Sequence, residues 1–133
     1  MSDIEQAKSL ARVARRDFNA LLGMENSPFF ADEIFGFHAQ QSVEKALKAW
    51  LCTKNLLYPL THELPRLLAL LEKAGADVEA FLELDELTAY AVEARYAEGE
   101  PETIPLNRGE VIGKVAILLD RVDTVIAESS DLN

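Results

Sequence analysis

The fold is decided by residues 37–51, which read FHAQQSVEKALKAWL. A helix turns by about 100° per residue, so apolar residues spaced three and four apart gather on one arc. On this stretch they are Ala39, Val43, Ala46, Leu47 and Trp50. A second arc carries polar side chains, namely His38, Gln41, Lys45 and Lys48. The stretch is therefore predicted to be one helix with two different faces.

The second arc continues upstream with apolar residues. Phe30, Ile34 and Phe37 lie on it at helical spacing, directly before the polar group. A face that only contacts solvent does not normally carry such a stripe. An apolar second stripe on a helix is typical of a subunit interface. We therefore expect the helix to pack inward on its own bundle and outward on a second copy, with Phe30, Ile34 and Phe37 at the dimer interface.

Length and composition indicate one ordered domain over residues 1–133. The apolar fraction is 49%, and only 6 Gly and 5 Pro interrupt the chain, which favours a helix-rich protein. The single cysteine, Cys52, excludes an internal disulfide framework and suits a reducing compartment. The sequence has no apolar run of membrane-spanning length and begins with acidic residues, so we expect a cytoplasmic location.

The charge is strongly acidic but unevenly distributed. A net charge of -10 argues against a general nucleic-acid binder, which is normally basic. Residues 1–54 hold seven Lys and Arg against seven acids, so the whole excess of acid follows residue 54. Two interpretations of the first part stay open: a local basic site near the first two helices, or the commoner solvated and balanced surface.

Hydrophobic periodicity and capping residues predict five helices. They begin at Ser2, at Ser27-Pro28, after Thr61, near Val78 and at Asn107, and the first four end near Gly23, Asn55, Gly75 and Tyr96. The acidic, proline-interrupted stretch 97–106 is predicted to be a loop. No alternating strand pattern is visible, and short links favour antiparallel neighbours. The expected fold is all-α, a five-helix up-and-down antiparallel bundle with a four-helix core.

Arg95 falls inside the apolar arc of the fourth predicted helix. A guanidinium there needs a partner, because an unpaired buried charge is costly. Glu44 is a candidate partner, which would make the pair structural. Alternatively, Arg95 converges with Lys45 and Lys48 on a phosphate, a group that planar arginine binds well. The two lysines also have a simpler explanation, because Glu44 and Lys48 form an ordinary i, i+4 helix pair.

Signals for catalysis or metal binding are weak in the residues themselves. His38 and His62, with one cysteine, give no metal-ligand spacing, so neither metal nor cofactor is predicted. His62 follows Thr61 at a helix start, which favours a packing role. No glycine-rich phosphate loop and no arrangement of nucleophile and base is visible. Whether the chain is an enzyme therefore stays open.

Three segments resemble the HEPN family of small helical proteins. They are FHAQQSVEKALKA at 37–49, THEL at 61–64 and Arg95-Tyr96. The resemblance implies a helical bundle that forms a homodimer and binds a nucleotide. It also implies a minimal nucleotidyltransferase as partner, in a toxin–antitoxin or defence pair. The site residues it implies are Gln41, Lys45, Lys48, Arg95 and Tyr96.

The sequence departs from the ribonucleases of that family in one respect. They place an arginine shortly before a histidine, and here no histidine follows Arg95. Our first hypothesis is therefore a nucleotide-binding and assembly module. The alternative is a metal-independent ribonuclease with an atypical site, such as His38 with Arg95 across a dimer, and a plain scaffold is a third possibility. The identity of the nucleotide, a toxin or partner role and modification of Tyr96 are not determined by the sequence.

Overall fold

The computed structural model describes residues 3–91 and 106–131. Its α-helices are α1 (Asp3–Met24), α2 (Asp32–Thr53), α3 (Leu64–Lys73) and α4 (Arg108–Asp131). A 3-10 helix, here called η1, spans Glu79–Tyr90 between α3 and α4. These described residues contain no strand, so the predicted all-α class is confirmed.

Long-range contacts show how the helices run. Along α1 and α2, Asp17 meets His38 and Ala14 meets Ser42, so the two helices are antiparallel. On η1 and α4, Glu83 pairs with Lys114. Arg121, further along α4, contacts the start of η1, so these two helices are antiparallel as well. Together α1, α2, η1 and α4 form an up-and-down bundle, with the short α3 packed beside α2 and η1.

The helix α2 is the centre of the bundle, since it contacts α1, α3, η1 and α4. All five residues of its predicted core arc are buried. Burial also extends beyond that arc: Phe35 is fully buried, and Ser42 is buried with its hydroxyl donating to the Ala14 carbonyl at 2.8 Å. A helix that contacts four others has little solvent face left, which is why burial extends beyond the predicted arc.

The start of α2 differs from the prediction. The helix begins at Asp32 rather than at Ser27-Pro28, so Phe30 precedes it. The reason is a contact from α4: the Arg108 guanidinium donates to the Met24 carbonyl at 2.6 Å and to the Phe30 carbonyl. It also pairs with the Asp32 carboxylate at 3.1 Å. These bonds satisfy the backbone of the turn and fix where the helix can begin.

The fourth predicted helix also differs in type, because its described part is 3-10 rather than α. Its inward residues recur at a strict spacing of three, which matches a helix with about three residues per turn. They are Val78, Phe81, Leu84, Leu87 and Tyr90, of which the first four are buried. Residues 92–105, including most of the predicted acidic loop, lie outside the described part of the chain, as does the Ser2 cap.

Other predicted helix ends are confirmed. Asn107 caps α4, with its side-chain oxygen accepting from the Glu110 backbone N–H at 3.0 Å. The third helix follows Thr61 closely and carries Pro65 in its first turn. Its four inward leucines, Leu64, Leu67, Leu68 and Leu71, are all buried. The first helix ends one residue past Gly23, at Met24.

Candidate functional site

The most unusual feature of the interior is the carboxylate of Glu44, which is fully buried on α2. Its Oε1 accepts from Gln40 Nε2 at 2.9 Å and lies 2.8 Å from His62 Nδ1. Its Oε2 accepts from Lys48 Nζ at 2.9 Å and from Lys45 Nζ at 3.1 Å. We call these five residues, together with Gln41, the Glu44 cluster.

Helical spacing explains most of the Glu44 cluster. Gln40, Glu44 and Lys48 are separated by four residues each and form one row on α2. Gln41 and Lys45 form the adjacent row, where Lys45 Nζ donates to Gln41 Oε1 at 3.4 Å. The amide of Gln41 in turn donates to Gln40 Oε1 at 2.7 Å, so the two rows are joined.

The one member from outside α2 is His62, which precedes α3. Its backbone carbonyl accepts from Gln40 Nε2 at 3.2 Å while its ring reaches Glu44. The start of α3 is held in turn by η1, since the Leu64 N–H donates to the Thr88 hydroxyl at 3.2 Å. The histidine is therefore fixed at its backbone and at its ring.

The electrostatics of the cluster keep Glu44 ionised. Burial alone would raise the pKa of this carboxyl, because a charge is poorly solvated in the interior. Hydrogen bonds from Gln40, Lys48 and His62, together with the charge of Lys45, outweigh burial and lower the pKa from 4.5 to about 2. The carboxylate is thus charged at neutral pH, and it is fully satisfied by donors.

The cluster holds two lysine ammonium groups for one carboxylate. The Lys48 side chain is only 8% exposed, and its Nζ also lies 5.4 Å from the centre of the Tyr58 ring. Lys45 is 26% exposed and His62 is 61% exposed, so these two form the side that faces solvent. The two ammonium groups and the one carboxylate therefore leave a net positive charge, on the side of the cluster that faces solvent.

The orientation of His62 follows from the chemistry of its partner. An ionised carboxylate only accepts hydrogen bonds, so Nδ1 of His62 carries the proton that faces Glu44. The other ring nitrogen, Nε2, points away from the carboxylate, on the exposed side of the ring. A histidine held in this way presents Nε2 to a ligand, either as a proton acceptor or, when protonated, as a donor.

A model of the HEPN domain matches residues 4–125. The chain belongs to the HEPN domain family. No curated protein and no solved structure matches it. The family explains the likeness of residues 37–49 and 61–64, and the structure shows that these two HEPN segments meet at Glu44. Residues 37–49 supply every member of the cluster except His62, which the second segment supplies.

Three of the five site residues expected for this HEPN chain come together. Gln41, Lys45 and Lys48 all belong to the Glu44 cluster. Arg95 and Tyr96 lie outside the described residues. Glu44, a candidate partner for Arg95, contacts four other side chains of the cluster through its carboxylate.

His38 has a different environment from the lysines with which it shares an arc. Its Nδ1 lies 3.0 Å from the Asp17 carboxylate of α1, and the ring of Phe37 contacts its edge. The helix turns His38 toward α1 and the lysines toward the start of α3.

The residues of the expected dimer interface differ in position. Ile34 and Phe37 are partly exposed on α2, whereas Phe30 is 43% exposed in the turn before the helix. The adjacent Phe29 is almost fully exposed. An apolar surface therefore exists at this end of α2, and the interface itself stays a prediction.

Sequence reasoning missed two members of the cluster, Gln40 and His62. The i, i+4 row from Gln40 through Glu44 to Lys48 was the available signal for the first. For His62 the available signal was the THEL segment at 61–64, but spacing could not assign its partner, because the contact with Glu44 spans 18 residues. Among the described residues no group of His, Cys, Asp and Glu could hold a metal ion. No described helix is long and apolar enough to cross a membrane.

Proposed function

We propose that this HEPN chain is a nucleotide-binding and assembly module whose ligand phosphate binds at the Glu44 cluster. The observation that carries the proposal is the charge balance, since Lys45 and Lys48 share one buried carboxylate. A structural ion pair needs one cation for one anion. The second ammonium, that of the partly exposed Lys45, is best balanced by an anionic ligand.

The proposed roles follow from exposure and from fixed geometry. Lys45 and the Nε2 side of His62 face solvent and contact the phosphate, while Glu44 and Gln40 behind them hold both in place. Lys48 is nearly buried and supports the site through its charge. Gln41 positions the Lys45 ammonium. The family resemblance adds Arg95 and Tyr96 as further ligand contacts.

Titration with a nucleoside triphosphate tests this proposal. Replacing Lys45 with Met keeps the stem and leaves Lys48 to neutralise Glu44, so the fold is retained. A charge-assisted hydrogen bond contributes about 1.5–3 kcal/mol, which corresponds to about 10- to 100-fold weaker binding. Lys54→Met is the matched control, because Lys54 caps the end of α2 outside the cluster. Equal affinity of the wild type and both variants would contradict the proposal.

The assembly role rests on the apolar surface at the start of α2 and on the family resemblance. We propose a cytoplasmic homodimer formed through Phe30, Ile34 and Phe37, with a minimal nucleotidyltransferase as partner in a toxin–antitoxin or defence pair. Co-purification of the tagged chain from its native host tests the partner. Stoichiometric recovery of a nucleotidyltransferase is the expected result, and a homodimer recovered without one would contradict this part.

A second candidate function, metal-independent RNA cleavage, is favoured by the contact between Glu44 and His62. A carboxylate that orients a histidine leaves Nε2 able to take a proton from an attacking hydroxyl, with Lys45 beside it to stabilise charge on phosphate. His38, the histidine first considered for this role, is instead held by Asp17. An RNA-cleavage assay decides the matter: activity should be lost in His62→Ala and kept in His38→Ala.

A further inference from the structure

A second cationic site lies between α1 and α4, and it shares no residue with the Glu44 cluster. It is an open groove of about 280 Å³. Its lining residues are Lys8, Ala11, Arg12, Arg15, Asp123 and Ile126. The charge distribution left open a local basic site near the first two helices, whereas this groove lies between α1 and α4.

The three cations share one face of α1. Lys8, Arg12 and Arg15 follow the i, i+4, i+7 spacing of a helical face, and they span about 10 Å of the helix axis at 1.5 Å per residue. Lys8 and Arg12 are exposed, and among the described residues neither forms an ion pair. Two long cationic side chains are thus available to a ligand in the groove.

Arg15 is the fixed member of the group. Its Nη2 lies 2.9 Å from the Asp123 carboxylate and 3.9 Å from that of Asp120, both on α4. Its guanidinium carbon also lies 5.5 Å from the centre of the Phe18 ring. These contacts orient the planar fork of the arginine, which suits recognition of a phosphate through two parallel hydrogen bonds.

The surrounding charge limits the size of the ligand. The chain carries a net charge of -10, so a long polyanion would be repelled wherever it extended beyond the groove. The negative surroundings therefore favour a compact anion that stays within the groove.

We propose that this groove binds a compact polyphosphate, such as inorganic triphosphate or the triphosphate tail of a nucleotide. Lys8 and Arg12 contact the outer phosphates, and the Arg15 guanidinium binds the innermost phosphate. Asp123, the one carboxylate among the lining residues that the structure describes, competes with the ligand for Arg15. When the ligand binds, its phosphate therefore replaces the Asp123 carboxylate as the acceptor at the Arg15 guanidinium, which is already oriented.

Calorimetric titration of the full chain with inorganic triphosphate tests the proposal. Lys8→Ala and Arg12→Ala should each weaken binding by about fivefold to tenfold, the effect of about 1 kcal/mol for one lost contact of an exposed charge. Arg16→Ala is the matched control, since it removes the same charge from the same helix at a position that does not line the groove. The same losses should be measured for Lys8→Ala and Arg12→Ala in a Lys45→Met background, which separates the groove from the Glu44 cluster.

An increase in affinity for triphosphate is a useful test, because misfolding of a variant would weaken binding rather than strengthen it. Asp123→Asn removes the competing charge and should tighten triphosphate binding severalfold. The proposal is overturned if triphosphate shows no saturable binding, if Arg16→Ala weakens it as much as Arg12→Ala, or if Lys8→Ala and Arg12→Ala have no effect in a Lys45→Met background. It is overturned too if a single-stranded RNA oligonucleotide binds through Lys8 and Arg12 more tightly than triphosphate, because the ligand is then a polynucleotide. Binding of ATP that Arg12→Ala weakens as much as it weakens binding of inorganic triphosphate supports the proposal and identifies the nucleotide as one source of the group.

Discussion

The Glu44→Gln variant should change how the stability of the protein responds to acid. In the native protein the carboxyl of Glu44 has a pKa of about 2, against an ordinary value of 4.5. A group with a lowered native pKa adds stability above its unfolded pKa, and that stability is lost as the pH falls through the native one. The wild type should therefore lose this contribution between about pH 5 and about pH 2.

The size of the effect follows from the same two values. A change of one pKa unit corresponds to about 1.4 kcal/mol, so the difference between 4.5 and about 2 amounts to about 3 kcal/mol in the free energy of unfolding. Glutamine keeps the shape of the side chain but cannot be protonated in this range. At neutral pH, Glu44→Gln leaves Lys45 and Lys48 without their carboxylate and should be less stable by about 3–5 kcal/mol.

Urea unfolding followed by far-ultraviolet circular dichroism measures both the stability difference between the two proteins and its dependence on pH. The wild type should exceed Glu44→Gln in stability at pH 7, and the gap should shrink by about 3 kcal/mol as the pH falls from about 5 to about 2. Glu83→Gln is the matched control: Glu83 pairs with Lys114, which lowers its pKa, but it is 74% exposed. Its pH profile should follow that of the wild type. Parallel profiles for the wild type and Glu44→Gln would refute the reasoning.

Four further substitutions test the packing and the assembly. In Gly36→Ala the new Cβ would lie 2.5 Å from the Tyr90 ring, so thermal unfolding should show a loss of about 1–3 kcal/mol. Gly23→Ala meets no atom within 4 Å and should instead gain up to about 1 kcal/mol, and equal melting temperatures would contradict the Tyr90 contact. Arg108→Ala frees three backbone carbonyls and a carboxylate of the turn, so urea unfolding should show a loss of about 2–4 kcal/mol. Phe37→Asp should give a monomer of unchanged helicity by light scattering and circular dichroism, and a persistent dimer would contradict the interface.

Much of the fold could be predicted because it depends on local periodicity. The five core residues of α2 were identified by spacing alone, and all are buried. The errors arose where contacts between distant elements determine the helix boundary or the helix type. Nothing near Ser27 in the sequence shows that Arg108, on the last helix, holds the turn before α2. For η1, the spacing of three was visible in the sequence, but it was interpreted with the period of an α-helix.

The candidate site was predictable only in part, for a similar reason. Helical spacing placed Gln41, Lys45 and Lys48 together, because their rows are set within α2. The role of Glu44 depends on how deeply α2 is buried, and that depth results from the packing of four other elements around it. The contact with His62 depends on the path of the chain between α2 and α3, for which the residues give no periodic signal.

The two explanations of Lys45 and Lys48 can now be compared in physical terms. The structural one, an i, i+4 pair on a helix surface, predicts an exposed pair that contributes a few tenths of a kcal/mol. Instead Glu44 is fully buried and Lys48 nearly so, and moving such charges out of water is costly unless they are well paired. Lys48, Gln40 and His62 already donate to the carboxylate, so stability alone does not require a second cation at Lys45. The charge of Lys45 lies on the side that faces solvent, where the proposed ligand phosphate would pair with it.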